Sequence, residues 1–239
     1  MKTVLLGLGI LAFGFLAPTV HAAPTAYYVT TTGSDSGVDG KSWGNAFLTI
    51  SNAVAYAVDG DTVLVSNGTY NVAVVLSITK GITLQGFSGP SNTTIRGASV
   101  KYLSVNHSDA VVDGFLLTGG TSARHVDVIS GSLRNCIFTG NSAAYIGAPI
   151  GVSGGMVSDC IFTNNFTSPF GDSRAKGGAV IMSAGVISNC LFTGNSAYSG
   201  GAVYMTGGKI VNCVMTNNNA YNGSGVVAGG VLMTGGQLL

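Results

Sequence analysis

Apolar and polar positions alternate along this chain in short runs that recur. Four segments align: Leu133-Arg-Asn-Cys136-Ile-Phe-Thr-Gly-Asn141, Val157-Ser-Asp-Cys160-Ile-Phe-Thr-Asn-Asn165, Ile187-Ser-Asn-Cys190-Leu-Phe-Thr-Gly-Asn195 and Ile210-Val-Asn-Cys213-Val-Met-Thr-Asn-Asn218. Their cysteines are 24, 30 and 23 residues apart, and the long interval carries an insertion near Pro169 to Lys176. Between them recur Gly177-Gly-Ala-Val180-Ile-Met182, Gly200-Gly-Ala-Val203-Tyr-Met205 and Gly229-Gly-Val231-Leu-Met233. Gly and Asn punctuate these runs too often for helices, whereas strands of about five residues fit. A coil of about 23 residues holding two or three strands predicts a right-handed parallel β-helix, an all-β solenoid in which equivalent positions stack about 4.8 Å apart. Strand alternation puts each Cys and the Phe or Met two residues later on one face, read as interior. Asn135, Asp159, Asn189 and Asn212 fall where the chain must turn, and these residue types tolerate the left-handed conformation.

One stretch departs from the pattern. From Trp43 to Val58, the apolar Phe47, Ile50, Val54 and Val58 fall near one helical face beside Ala53 and Ala57. This predicts a helix over that span, capping the unpaired edge at the N-terminal end of the solenoid. The opposite end follows the repeat to Leu239 and stops where the next Asn-Cys is due. The expectation is a chain truncated within the solenoid, whose open edge invites self-association.

The Asn-Cys-[Ile/Leu]-Phe-Thr and Gly-Gly-Ala-Val elements resemble repeats of pectin-lyase-like right-handed β-helix proteins, including those of polymorphic outer-membrane proteins. Val111-Val-Asp-Gly-Phe-Leu-Leu-Thr-Gly-Gly120 is similar to a common early-coil phrase of that group. So are Tyr27-Tyr-Val-Thr-Thr-Thr-Gly-Ser-Asp35, Asp39-Gly-Lys-Ser-Trp43 and the stretch from Asp59 to Tyr70. The resemblance implies the fold. It leaves activity open, because the fold hosts enzymes and non-enzymes.

The first residues add a compartment. Lys2, an apolar run from Val4 to Leu16 and Val20-His-Ala22 form a signal-peptide pattern, with the cut expected after Ala22. The organisation read is therefore a signal peptide at 1–22 and a β-helix domain at 23–239. Its N-terminal cap covers about 23–60 and its coils about 61–239. Export to the cell surface, outer membrane or medium follows from the leader. Charged residues make up only 8% of the chain, and there is no Glu. That balance argues against nucleic-acid binding, which needs clustered basic residues. Export permits disulfides, but in-register Cβ vectors converge poorly, so the four cysteines are read as stacked thiols.

Candidate chemistry is sparse. Enzymes of the resembling family use calcium carboxylates with an Arg or Lys base, or closely set Asp pairs; none of their motifs overlays this sequence. The raw material is His107, Asp109, Asp113, Arg124, His125 and Asp127. Arg124, His125 and Asp127 are the candidate catalytic residues, because on a strand His125 and Asp127 would point the same way. Asp109 and Asp113 share a face only if their strand is unbroken, and Asp113-Gly114 reads better as a turn. Asp35 and Asp39 read as turn residues in place of calcium ligands. Gly223 to Ala228 matches a dinucleotide fingerprint only loosely and lies inside the repeats. No cofactor or metal ligand set is expected. Ile137, Ile161, Leu191 and Val214, directly after the cysteines, form an outward apolar row that is either a partner contact or plain β-propensity. Two functions remain: a secreted or surface β-helix with a structural, adhesive or passenger role, or a lyase or hydrolase of acidic polysaccharide. The expected partner is a cell surface, an extracellular polysaccharide or a second copy of the chain.

Overall fold

The computed structural model describes residues 23–98, 101–121, 124–144, 148–168, 174–221 and 228–239. The leader, residues 169–173 of the insertion and residues 222–227 of the loose fingerprint lie outside them. The chain is a parallel β-helix. Each complete coil visits the same faces in turn, as in Ser132–Arg134, Ile137–Thr139, Ser142–Ala144 and Ile150–Val152. Stacking of coils builds sheet 1 with nine strands, sheets 2 and 3 with seven each, and a four-stranded sheet 4. All strand pairs are parallel and in register; Leu133, for example, faces Val112 on one side and Val157 on the other.

The interior is filled by these in-register columns. Val63, Leu84, Val112, Leu133, Val157, Ile187 and Ile210 line sheet 1, all fully buried. On sheet 2, Phe138, Phe162 and Phe192 stack with ring centroids 4.7 and 4.5 Å apart and planes within 5°. Coil stacking fixes that face-to-face offset and overrides the usual preference for edge contacts. Cys136, Cys160 and Cys190 are buried beside them and Cys213 is half-buried, all four as free thiols.

The two turns around the Phe strand explain the most regular letters of the repeat. Before it, Asn135, Asp159, Asn189 and Asn212 have φ of 49°, 55°, 53° and 51°. After it, Gly140, Asn164, Gly194 and Asn217 have φ of 62°, 54°, 66° and 55°, which is why only Gly or Asn occupies that column. The next column, Asn141, Asn165, Asn195 and Asn218, turns inward. The Asn165 Nδ2 donates to the Phe138 carbonyl (3.0 Å) and to Asn195 Oδ1 (3.0 Å), and the Asn165 amide also donates to Asn195 Oδ1 (3.1 Å). Asn141 repeats this toward Asn165, and Asn195 toward Asn218.

At the N-terminal end the predicted helix is shorter than its apolar pattern. Trp43–Asn45 is a single 3-10 turn and α1 spans Ile50–Tyr56. Asp35 separates them: its carboxylate accepts the Leu48 and Thr49 amides (both 3.0 Å) and the Thr49 hydroxyl (2.8 Å). Thr49 in turn caps α1 by accepting the Asn52 amide. Lys80 Nζ closes the other end by donating to the Val54, Ala55 and Ala57 carbonyls. Ile50, Ala53 and Val54 are buried on the first coil, but Val58 lies beyond the helix and is 58% exposed.

Two expectations follow. Asn165→Ala strands the Asn141 amide and the Phe138 carbonyl inside the coil and should lower unfolding free energy by about 3 kcal/mol. The adjacent Asn164→Gly, at a left-handed position, should change it by less than about 1 kcal/mol; urea denaturation reads both. The second concerns alkali. Burial pushes the Tyr102 phenol and the Cys160 thiol above their ordinary 10.0 and 9.0. The folded chain therefore keeps protons that the unfolded chain loses. Stability should hold below about pH 9 and fall progressively above it, seen as a urea midpoint lower at about pH 10 than at about pH 8.

Candidate functional site

Among the described residues, a cluster of opposite charges on sheet 3 forms around the predicted triplet. Its strand, Val126–Val128, turns Val126 and Val128 inward and pairs Asp127 with Ser104 and Gly151 in an outward column. The Asp127 carboxylate is held between Lys101 Nζ and Arg124 Nη1, the latter at 3.3 Å. Gly151 makes room for this. A Cβ there would collide with Arg124 Cδ and lie 2.8 Å from Asp127 Oδ1. Beyond Arg124, a depression of about 110 Å³ runs past Ser153, Ile181, Ser183 and Thr206.

His125 is not on this face. It precedes the strand and turns into the coil, fully buried, with Nε2 2.6 Å from the Ser142 carbonyl oxygen. Its ring stacks on Tyr102 at 6.2 Å and packs against Gly120, where a Cβ would collide with the imidazole. Tyr102 in turn donates to Asn141 Oδ1 (3.2 Å), the first amide of the buried ladder. The expected shared direction of His125 and Asp127 is thus corrected: alternation holds within the strand, and His125 lies outside it. Lys101 was missed. It stands 23 residues before Arg124, one coil, so the repeat length could have found it.

The other acids are placed separately. Strand Val111–Asp113 begins after Asp109, so Asp109 and Asp113 do not share a strand face. Asp109 lies in a surface turn where its amide donates to His107 Nδ1 (3.2 Å). Asp113 ends its strand before Gly114 at φ 79°, the predicted turn, and pairs with Arg134 Nε (3.0 Å) on sheet 1. Asp39 accepts the Lys41 amide, a turn contact. A larger groove of about 460 Å³ lies between α1 and the strand Gly68–Val72 at the capping end, lined by Leu48, Ser51, Asn71 and Val74. Among the described residues, no three His, Cys, Asp or Glu side chains gather as a metal site.

These placements predict opposite mutational costs. His125→Ala empties a buried, hydrogen-bonded site and should cost about 2–4 kcal/mol. Arg124→Ala, at a surface ion pair, should cost no more than about 1 kcal/mol. Thermal unfolding of the two variants checks the contrast.

Comparison with known proteins places the architecture. The Chlamydia polymorphic membrane protein repeat matches residues 189–206, which begin at the left-handed Asn189 and end after Met205. No curated protein matches the chain in sequence. Among solved structures, a rhamnogalacturonan lyase superimposes with a TM-score of 0.55 at 17% identity, over 90% of this chain and 62% of that one. The chain thus spans less than two thirds of that enzyme's length. A pectin methylesterase, solved as a point mutant in complex with a hexasaccharide, matches at a TM-score of 0.39 and 15% identity, over 80% of this chain and 67% of that one. Together with the in-register parallel sheets, the lyase likeness fixes the fold of this chain as a parallel β-helix similar to that of the lyase, with a segment similar to the polymorphic membrane protein repeat.

Proposed function

We propose that this chain is an exported β-helix displayed at a cell surface, where it serves as a structural or passenger scaffold and cleaves no substrate. The observation that carries the reading is the state of Asp127. It is the one carboxylate on the outer column of sheet 3 among the described residues, and a cation engages each of its two oxygens. A carboxylate that acts as general acid or base in hydrolysis must reach a substrate proton, and the ion pairs to Lys101 and Arg124 compete for both Asp127 oxygens. The other acids named above sit in turns, in the helix cap or in a separate ion pair. The uniform coils and the polymorphic-membrane-protein-like segment support an elongated displayed body. Its partners are a cell surface, an extracellular polysaccharide or a second copy.

A second reading keeps one specific support. Lys101 and Arg124 outnumber Asp127, so the cluster carries net positive charge beside a depression, on a fold like that of a rhamnogalacturonan lyase. It would receive an anionic sugar. Incubation with rhamnogalacturonan and with polygalacturonate, reading unsaturated and reducing ends, separates the two. We expect no product. Product that disappears in Arg124→Ala or Asp127→Ala would establish the enzyme and overturn the scaffold.

A further inference from the structure

The chain's only tryptophan is displayed on the surface. Trp43 sits in a 3-10 turn that buries none of its residues, and it is 40% exposed. It touches two further rings edge-to-face: Tyr28 at 4.6 Å and 68°, and Phe87 at 5.3 Å and 75°. Phe87 is itself 59% exposed. Tyr28 lies on the outer face of sheet 1, and its column continues through Leu64, Gln85, Asp113 and Arg134 on successive strands. The aromatic group therefore leads directly into a row of an amide, a carboxylate and a guanidinium. Arg134 is 52% exposed and spends only Nε on Asp113. Among the described residues its two terminal nitrogens and the Gln85 amide have no hydrogen-bond partner, so they keep their capacity for a ligand.

We infer that this strip on sheet 1, from Trp43 and Phe87 to Arg134, binds the sugar rings of a neutral extracellular polysaccharide. The inference rests on the reading of the chain as a displayed scaffold and names its ligand. One face of a pyranose carries only C–H bonds and packs on the negative face of an aromatic ring. Its hydroxyls, at the rim, need planar donors and acceptors beside that ring, which the Gln85 amide and the terminal nitrogens of Arg134 supply, while Arg134 Nε and Asn135 Nδ2 hold the two Asp113 oxygens. The Asp113–Arg134 pair is neutral overall, so the strip offers nothing extra to a polyuronate. A protein partner fits poorly. Trp43 and Phe87 together present roughly 200 Å² of exposed surface, from full areas of about 150–250 Å² each, against about 800 Å² per partner in a stable interface. The strip lies on a different sheet from Lys101, Arg124 and Asp127, so the two sites can be tested apart.

Affinity electrophoresis of the mature chain in gels containing xyloglucan, galactomannan, mixed-linkage glucan or polygalacturonate tests this, with Trp43 emission as a second readout. At least one neutral polysaccharide should retard the protein, and oligosaccharides of that polymer should shift the emission. Trp43→Ala and Phe87→Ala should each weaken retardation about tenfold. Trp43→Phe, which keeps a ring, should retain most of it, and Tyr56→Ala, an exposed ring elsewhere, should change nothing. Thermal melts confirm that each variant is folded; Phe87, in an exposed turn, gives the test a second variant if Trp43→Ala is unstable. No retardation by any neutral polymer, or retardation surviving both ring deletions, overturns the inference. Retention by polygalacturonate alone, abolished by Arg124→Ala, also overturns it and moves binding to sheet 3. Absence of binding by a displayed, non-cleaving protein would sink this inference and leave the scaffold reading standing.

Discussion

The column of Asn141, Asn165 and Asn195, buried and continued by the half-buried Asn218, is the constraint on which the stacking of these coils depends. An apolar column resists a slip of one residue, which would turn it outward, but tolerates a slip of two, because one aliphatic contact then replaces another at little cost. An amide column does not. The Asn165 carboxamide, for example, donates both to a backbone carbonyl of the preceding coil and to the amide oxygen of the next. A slip of one residue would leave several buried polar groups unpaired, at about 1–3 kcal/mol each. Register fixed there is fixed for the coils that share the column, since parallel pairing carries it around each of them. The Phe stack, the thiol row and the left-handed turns all follow from it.

Much of this was legible in the sequence. The repeat length, the interior face and the left-handed Asn and Asp before each Cys were read from the columns alone. The invariant Asn five residues after Cys was visible as a column, but its burial was not. Asn is ordinarily a surface or turn residue, and only stacking of identical coils supplies enough partners to bury it. The helix was read too long because its apolar period ran through Phe47, which the structure uses in an extended segment bridged to Val29. The deciding signal was Asp35, more than ten residues away in sequence, which no local pattern could connect to Thr49.

The site was less legible than the fold for the same reason. Periodicity within a strand says which way a side chain points, but His125 sits at the edge of its strand, where alternation ends and burial follows the turn. Its role lies with Tyr102 and Asn141 at the start of the amide ladder. Asp127 keeps the expected outward direction, and the coil period brings Lys101 beside it. Among the described residues, the outer faces carry the Lys101–Asp127–Arg124 and Asp113–Arg134 ion pairs and the Tyr28–Trp43–Phe87 rings.

The most direct test of the register argument is hydrogen exchange at the backbone amides of Asn141, Asn165 and Asn195, each of which donates to the carboxamide oxygen of the next coil. Exchange governed by global unfolding, as slow as that of Phe162 in the core strand, is the result this account predicts. Exchange at the rate of open turn residues would show that the amides lie outside the cooperative core and would contradict it.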